Sequence, residues 1–299
     1  MNDRHGVTLI EVLVAIAIMG LMVAIVLPAI QSAREAARVT TCKSNLRQMV
    51  IASDNYAEVW SVYPRDPFLS LPPYLGAEPH LRNVEEYVYV LTHGGVKPGY
   101  KAPASPEFYR CPTSGDSRQN YVCSVGVGIE VVEGEWGFQW NGFNTASPRD
   151  IADGLSNTSA FSEVLGFLPF DPENPTTGSR KRFSWSVSPH FDRPSTVSQV
   201  VARCSEVQFT NKRKESVFYS LGPPYNTCVY DHFMPPNSHS CHEDDDGTYQ
   251  NFILTAVSEH SGFVNVAFAD GHVRSVADTT NLDVWHALGT RNGGEKVEF

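Results

Sequence analysis

The stretch Gly6-Val7-Thr8-Leu9-Ile10-Glu11, continued without a break to Ile30, decides how the rest of the chain is read. Of the 24 residues from 7 to 30, 20 are aliphatic or Met, the exceptions being Thr8, Glu11, Gly20 and Pro28. At 1.5 Å per residue, a helix over this span is about 36 Å long and crosses a hydrocarbon core with some tilt. A secretory leader would have a shorter apolar stretch and a small-residue cleavage site, and no such site follows Ile30. The segment therefore reads as a retained, single-pass membrane helix, with the large cysteine-bearing remainder on the exported side. Glu11 stands out, because a carboxylate within a bilayer costs about 2.5–3.5 kcal/mol on insertion scales. It either snorkels to the interface or is kept for a partner.

Past Pro28 the helical pattern persists. Ala29, Ala33, Ala36, Ala37, Leu46, Met49, Val50, Tyr56, Ala57 and Trp60 recur at three- and four-residue spacing, with Arg34, Glu35, Arg38, Lys43, Arg47 and Glu58 on the other face. Pro64, Pro67, Pro72, Pro73 and Pro79 then end the helix. Short strand candidates follow at residues 87–91, 121–127, 129–132, 159–165, 183–187, 206–210, 216–219 and 251–257, separated by turn-forming residues instead of helical patterns. Residues 263–268 and 273–276 flank Asp270-Gly271 and read as a hairpin. Asn281 is placed to cap a short helix that Gly289 ends. The fold class is α+β: a long transmembrane and amphipathic helix packed on a mainly antiparallel sheet with long loops.

The 299 residues suffice for one large domain or two small ones. With 23 basic and 33 acidic side chains the net charge is −10, which argues against a surface that tracks phosphates, so nucleic acid is not an expected partner. Cys42, Cys111, Cys123, Cys204, Cys228 and Cys241 form an even set without a C-x-x-C pair. In an exported chain they read as disulfides, the alternative being structural thiols, and six cysteines allow 15 pairings that sequence alone does not resolve.

The N-terminal stretch closely resembles the type IV prepilin signature: Gly6, a hydrophobic residue, Thr8, Leu9, an aliphatic residue and Glu11. The resemblance implies cleavage after Gly6 by a membrane prepilin peptidase and methylation of the new terminus at Val7. It also implies that Glu11 neutralises the terminal amine of a neighbouring subunit, and that the helix between Gly20 and Pro28 loosens on assembly. His260, nine residues and then Asp270-Gly271 resembles the C-terminal H-x(9)-D-G signature of a large bacterial family of prepilin-type proteins without an assigned reaction. Cys42 with Ser44-Asn45-Leu46, Cys111-Pro112, residues 151–154, Glu163, Pro235-Pro236-Asn237 with Cys241, and residues 285–294 are similar to that family too. The implied organisation is a leader at 1–6, a transmembrane helix at 7–30, its amphipathic continuation at 31–61 and an exported pilin-like α+β domain at 62–299. The implied setting is the bacterial inner membrane, with the C-terminal domain in the periplasm or on a surface filament and other pilin-like subunits as partners.

The remaining candidates divide by chemistry. His260 and Asp270 can be imagined as an acid–base or metal pair in an envelope enzyme, or as residues that serve a loop and a turn. His239, Cys241, His242, Glu243, Asp244, Asp245 and Asp246 form a dense run. Glu243, Asp244 and Asp246 suit calcium, His239, Cys241 and His242 suit zinc, and a solvated loop is the third reading. Arg180-Lys181-Arg182 and Lys212-Arg213-Lys214 read as solvated turns. No nucleophile elbow, zinc-protease pair, phosphate loop or dinucleotide fingerprint is present, so no cofactor and no enzyme of familiar mechanism are expected. The functional expectation is a structural subunit of a type IV pilus-like or type II secretion pseudopilus-like assembly. Its alternative is a monomeric, membrane-tethered module that binds an extracellular ligand such as a polysaccharide.

Overall fold

The computed structural model describes residues 8–64, 70–76, 107–114, 120–127, 146–165, 184–187, 196–207, 213–214, 229–243 and 252–295. Helix α1 (Leu9–Trp60) opens with a capping box, in which the Thr8 hydroxyl accepts from the Glu11 N–H while the Glu11 carboxylate accepts from the Thr8 N–H. Its 52 residues make it about 78 Å long. In the single chain the helix runs through Pro28. Proline denies one donor to the carbonyl of Ala24, but the surrounding turns hold the geometry.

Only the distal part of α1 is packed. Cys42, Asn45, Leu46, Met49, Val50, Ala52, Ser53 and Ala57 are buried, whereas every residue from 8 to 34 is exposed. The apolar face expected from the sequence is thus shorter than its pattern: Ala29, Ala33, Ala36, Ala37 and Trp60 face outward.

The main sheet has the order β5-β1-β2-β8-β9, built from β1 (Tyr121–Ser124), β2 (Ser159–Glu163), β5 (Val229–Tyr230), β8 (Phe263–Phe268) and β9 (Val273–Ala277). All its pairings are antiparallel except β1 with β5. Period-two alternation gives it two apolar faces. Tyr121, Cys123, Phe161 and Ala267 join Leu46, Met49 and Val50 under α1. Val122, Val264, Val266 and Phe268 join Trp285 and Leu288 of a C-terminal helix (Leu282–Gly289), capped by Asn281 as expected. The result is three layers, with the sheet between two helices.

A second sheet, order β4-β3-β6-β7, comprises β3 (Ser184–Val187), β4 (Arg213–Lys214), β6 (Ser240–Glu243) and β7 (Phe252–Ile253), with β3 and β6 parallel. Its core of Val187, Phe233, Met234, Cys241 and Ile253 is covered by Val200 and Cys204 of α2 (Val197–Ser205), so the C-terminal helix is α3. The strand expected at 206–210 is corrected in part: Glu206 and Val207 form the turn that ends α2. The strands expected at 87–91, 129–132 and 216–219, the stretch 180–182 and Lys212 lie outside the described residues.

Candidate functional site

One junction gathers side chains from four separate stretches. Glu35 lies seven residues before Cys42 on α1, two turns along the same face. Cys42 is joined to Cys111 by a disulfide across 69 residues, which ties the helix to the loop after the 3-10 turn Glu107–Tyr109. Asn120 positions that loop by accepting from the Cys111 N–H at 2.9 Å. Glu163, the last residue of β2, is only 2% exposed, and its two oxygens accept from the N–H and the side-chain amide of Asn265 on β8 at 2.9 and 3.0 Å. His260 precedes β8; its N–H donates to Ser258 Oγ and its ring stacks on Phe263 at 5.3 Å.

The His260 ring is wholly buried and bridges two carboxylates. Its Nδ1 stands 2.7 Å from Glu35 Oε1, and its Nε2 stands 3.4 Å from Glu163 Oε1 and 3.7 Å from Cys111 Sγ. Burial by itself would lower the His260 pKa, but the adjoining Glu163 and then Glu35 raise it above its ordinary value. The donor atoms of Cys42, Cys111, Glu163 and His260 all lie within 4.8 Å of one another. With the disulfide closed, the junction is a buried electrostatic clasp between α1 and the sheet, and neither sulfur is a thiolate nucleophile.

Of the two readings of His260 and Asp270, the acid–base pair is not formed and the turn role of Asp270 is the one observed. Asp270 sits in the β8–β9 turn, where Oδ1 accepts from the His272 N–H and meets His272 Nδ1, while Gly271 supplies the positive φ of 87°. The signature's two ends therefore do different work: Asp270 shapes a turn and His260 holds the helix. Residues 151–154 and 285–294 are joined by a similar device, since Asp153 accepts from the N–H groups of Gly293 and Gly294 at 2.8 and 2.9 Å.

The zinc reading of residues 239–242 is also corrected. Cys241 is bonded to Cys204 of α2, His239 Nε2 meets the Cys204 carbonyl at 2.8 Å, and residues Ser240–Glu243 of the run form strand β6. Glu243 ends that strand, and Asp244 and Asp246 lie outside the described residues, as do Gly6, Val7 and Cys228. Cys123 is buried on β1. Glu11 and Gly20 stand on the exposed part of α1, with Glu11 engaged by Thr8.

A second histidine site was not anticipated. His232 Nε2 lies 2.8 Å from Ser159 Oγ and 3.2 Å from Ser124 Oγ, and its Nδ1 lies 2.8 Å from the Trp285 carbonyl. Desolvation pushes His232 down to about 3. The neutral tautomer therefore carries its proton on Nδ1 and accepts from the serines. Ser124, Ser159 and His232 are all 0% exposed, and the contact of Nδ1 with the Trp285 carbonyl pins α3 to the sheet. Gly289 passes so close that a Cβ there would stand 2.6 Å from the ring.

Glu35 was legible only as one charge on a polar helix face. The other four members of the junction each lie in a stretch that carries the family resemblance, and their shared membership was the available signal. Comparison with known families agrees: the family model described as "Protein of unknown function (DUF1559)" matches residues 31–75 and 94–283, and that for the "Prokaryotic N-terminal methylation motif" matches residues 1–27. No curated protein and no solved structure matches the chain.

Proposed function

The chain belongs to the family described as protein of unknown function (DUF1559) and carries the prokaryotic N-terminal methylation motif of a pilin-like or pseudopilin-like protein processed by prepilin peptidase, and from this we infer that it works as a structural subunit. It polymerises or docks through the first half of α1 in a type IV pilus-like or type II secretion pseudopilus-like machine at the bacterial inner membrane. The observation that carries this reading is the helix itself. From Leu9 to Leu27 its large apolar side chains are between 49% and 75% exposed, with none of the described residues packed over them. Side chains of this kind stabilise by about 1.5–3 kcal/mol each when fully buried, so the helix needs either lipid or neighbouring helices of the same kind.

Glu11 lies near the start of this helix, where a neighbour's newly cut amine at Val7 would neutralise it and set the register between subunits. The test is intact-mass and N-terminal peptide analysis of membrane-extracted protein, made with and without active prepilin peptidase. A terminus at Val7 that depends on the peptidase supports the reading. An intact Met1 in the presence of active peptidase overturns it and leaves a tethered binding module. Where the processed chain forms filaments, Glu11→Ala is expected to abolish them while leaving the distal domain folded.

A further inference from the structure

Three edges of the buried junction have the lengths of a coordination tetrahedron. A zinc ion with Zn–S of about 2.3 Å and Zn–N or Zn–O of about 2.0–2.1 Å sets S about 3.5 Å from N or O, N about 3.4 Å from O, and the two S atoms about 3.8 Å apart. His260 Nε2 to Glu163 Oε1 is 3.4 Å, Cys111 Sγ to His260 Nε2 is 3.7 Å and Cys111 Sγ to Glu163 Oε1 is 3.9 Å. The sulfur–sulfur edge is short because it is a bond, and the Cys42 sulfur lies within 4.8 Å of the other donors.

We propose that Cys42, Cys111, Glu163 and His260, once the disulfide is reduced, form a tetrahedral site for a zinc-like divalent ion that joins α1 to the sheet in place of the disulfide.

The surroundings are those of a prepared metal site. His260 presents Nε2 to the cluster while Nδ1 faces Glu35, the carboxylate–histidine–metal arrangement that fixes the ring and raises its basicity. Glu163 is oriented by two donors from Asn265, and the Phe263 ring stacks on the imidazole. Two sulfurs, one nitrogen and one carboxylate oxygen are a donor set for zinc instead of calcium or magnesium.

The chemistry balances with a dithiol as reductant. Two electrons and two protons pass from the dithiol to the Cys42–Cys111 bond, leaving two thiols here and a disulfide on the donor. The metal then displaces the two thiol protons, together with any proton on His260 Nε2. The two states are mutually exclusive, since the same sulfurs either bond each other or bind the ion.

The full chain in detergent is treated with a phosphine, which is oxidised to its oxide while water supplies the oxygen and the two thiol protons, and is titrated with Co2+. One Co2+ per chain is expected, with tetrahedral visible absorption and thiolate charge transfer, displaced by Zn2+ and absent from the oxidised chain. X-ray absorption of the zinc-loaded chain is expected to show two sulfur and two nitrogen or oxygen neighbours. Glu35→Gln, which leaves all four ligands in place, is expected to weaken binding 10–100-fold with an unchanged Co2+ spectrum. Sub-stoichiometric uptake by the reduced chain, a sphere without two sulfurs, or a signal of equal strength and affinity in Cys42→Ser or His260→Ala overturns the proposal.

Discussion

His232 and His260 are both buried between elements that the chain must hold together, yet their surroundings shift them in opposite directions. His232 meets two hydroxyls and a carbonyl, and desolvation keeps it neutral. His260 meets two carboxylates, one buried and one half-exposed, and they favour its charged form despite the burial. The neutral site locks α3 onto one end of the sheet by shape and hydrogen bonds. The carboxylate-flanked site fastens α1, the element that projects, through groups that respond to protons, salt and redox state. A contact that need never change is built from uncharged partners, whereas the contact beside the projecting helix is built from chemistry that can change.

The largest effect expected from this contrast is at the neutral site. His232→Ala empties a fully enclosed ring volume and strips partners from Ser124, Ser159 and the Trp285 carbonyl. Large-to-small changes of this size cost about 3–5 kcal/mol, and each polar group left without a partner adds about 1–3 kcal/mol. A denaturant-midpoint shift corresponding to less than about 1 kcal/mol at pH 7 would show that the site is not a lock.

The next prediction turns on pH. Asp231, next to His232, is buried, and desolvation pushes its carboxyl up to about 8 even though it accepts from the N–H groups of Leu254 and Phe233. A raised folded pKa means that the fold holds a proton the unfolded chain releases. Its contribution is therefore present below the ordinary carboxyl range near 4 and drains as pH rises toward about 8. His232 has the opposite sign, since its pKa is depressed: stability is lost as pH falls from about 6.5 toward about 3. Thermal unfolding is thus expected to weaken on both sides of a slightly acidic optimum. Asp231→Asn should flatten the alkaline limb and, by removing the opposing trend between about 4 and 6.5, extend the acid limb up toward about 6.5. An alkaline limb of equal slope in the variant would remove Asp231 as its cause.

How much of this was legible follows from the range of each interaction. The long N-terminal apolar helix, the Asp-Gly hairpin and the Asn281-capped helix rest on contacts within a few residues, and the sequence pattern located them. Helix α2 carried a local signal as well, the Thr196–Gln199 capping box, but the β-branched residues Val197, Val200 and Val201 masked it. Strand β6 was hidden because His239, Cys241 and His242 look like ligands until α2 supplies Cys204. The junction was the least accessible, since its members span residues 35 to 260 and only the three-layer packing brings them together. Six cysteines could not announce which pair would sit beside a histidine.

The smallest expected effect sharpens the comparison most. Glu35 is 38% exposed at the side chain, and its partner His260 is at 0%. Solvent screens such a pair, so Glu35→Gln is expected to cost only about 0.2–1 kcal/mol. The sign follows from His260: a raised folded pKa gives stability that is present below about 6.5 and drains as pH rises through the folded value. The loss in Glu35→Gln should therefore be largest at slightly acidic pH and low salt, and should fade in high salt or above neutrality. No equivalent salt dependence is expected at His232, whose partners are uncharged. If Glu35→Gln is as insensitive to salt and pH as a hydroxyl-for-alanine change beside His232, both histidines are structural fixtures of one kind. If it is sensitive, the attachment of α1 rests partly on ionic contacts, and the projecting helix is joined to its domain by a clasp whose strength follows its surroundings.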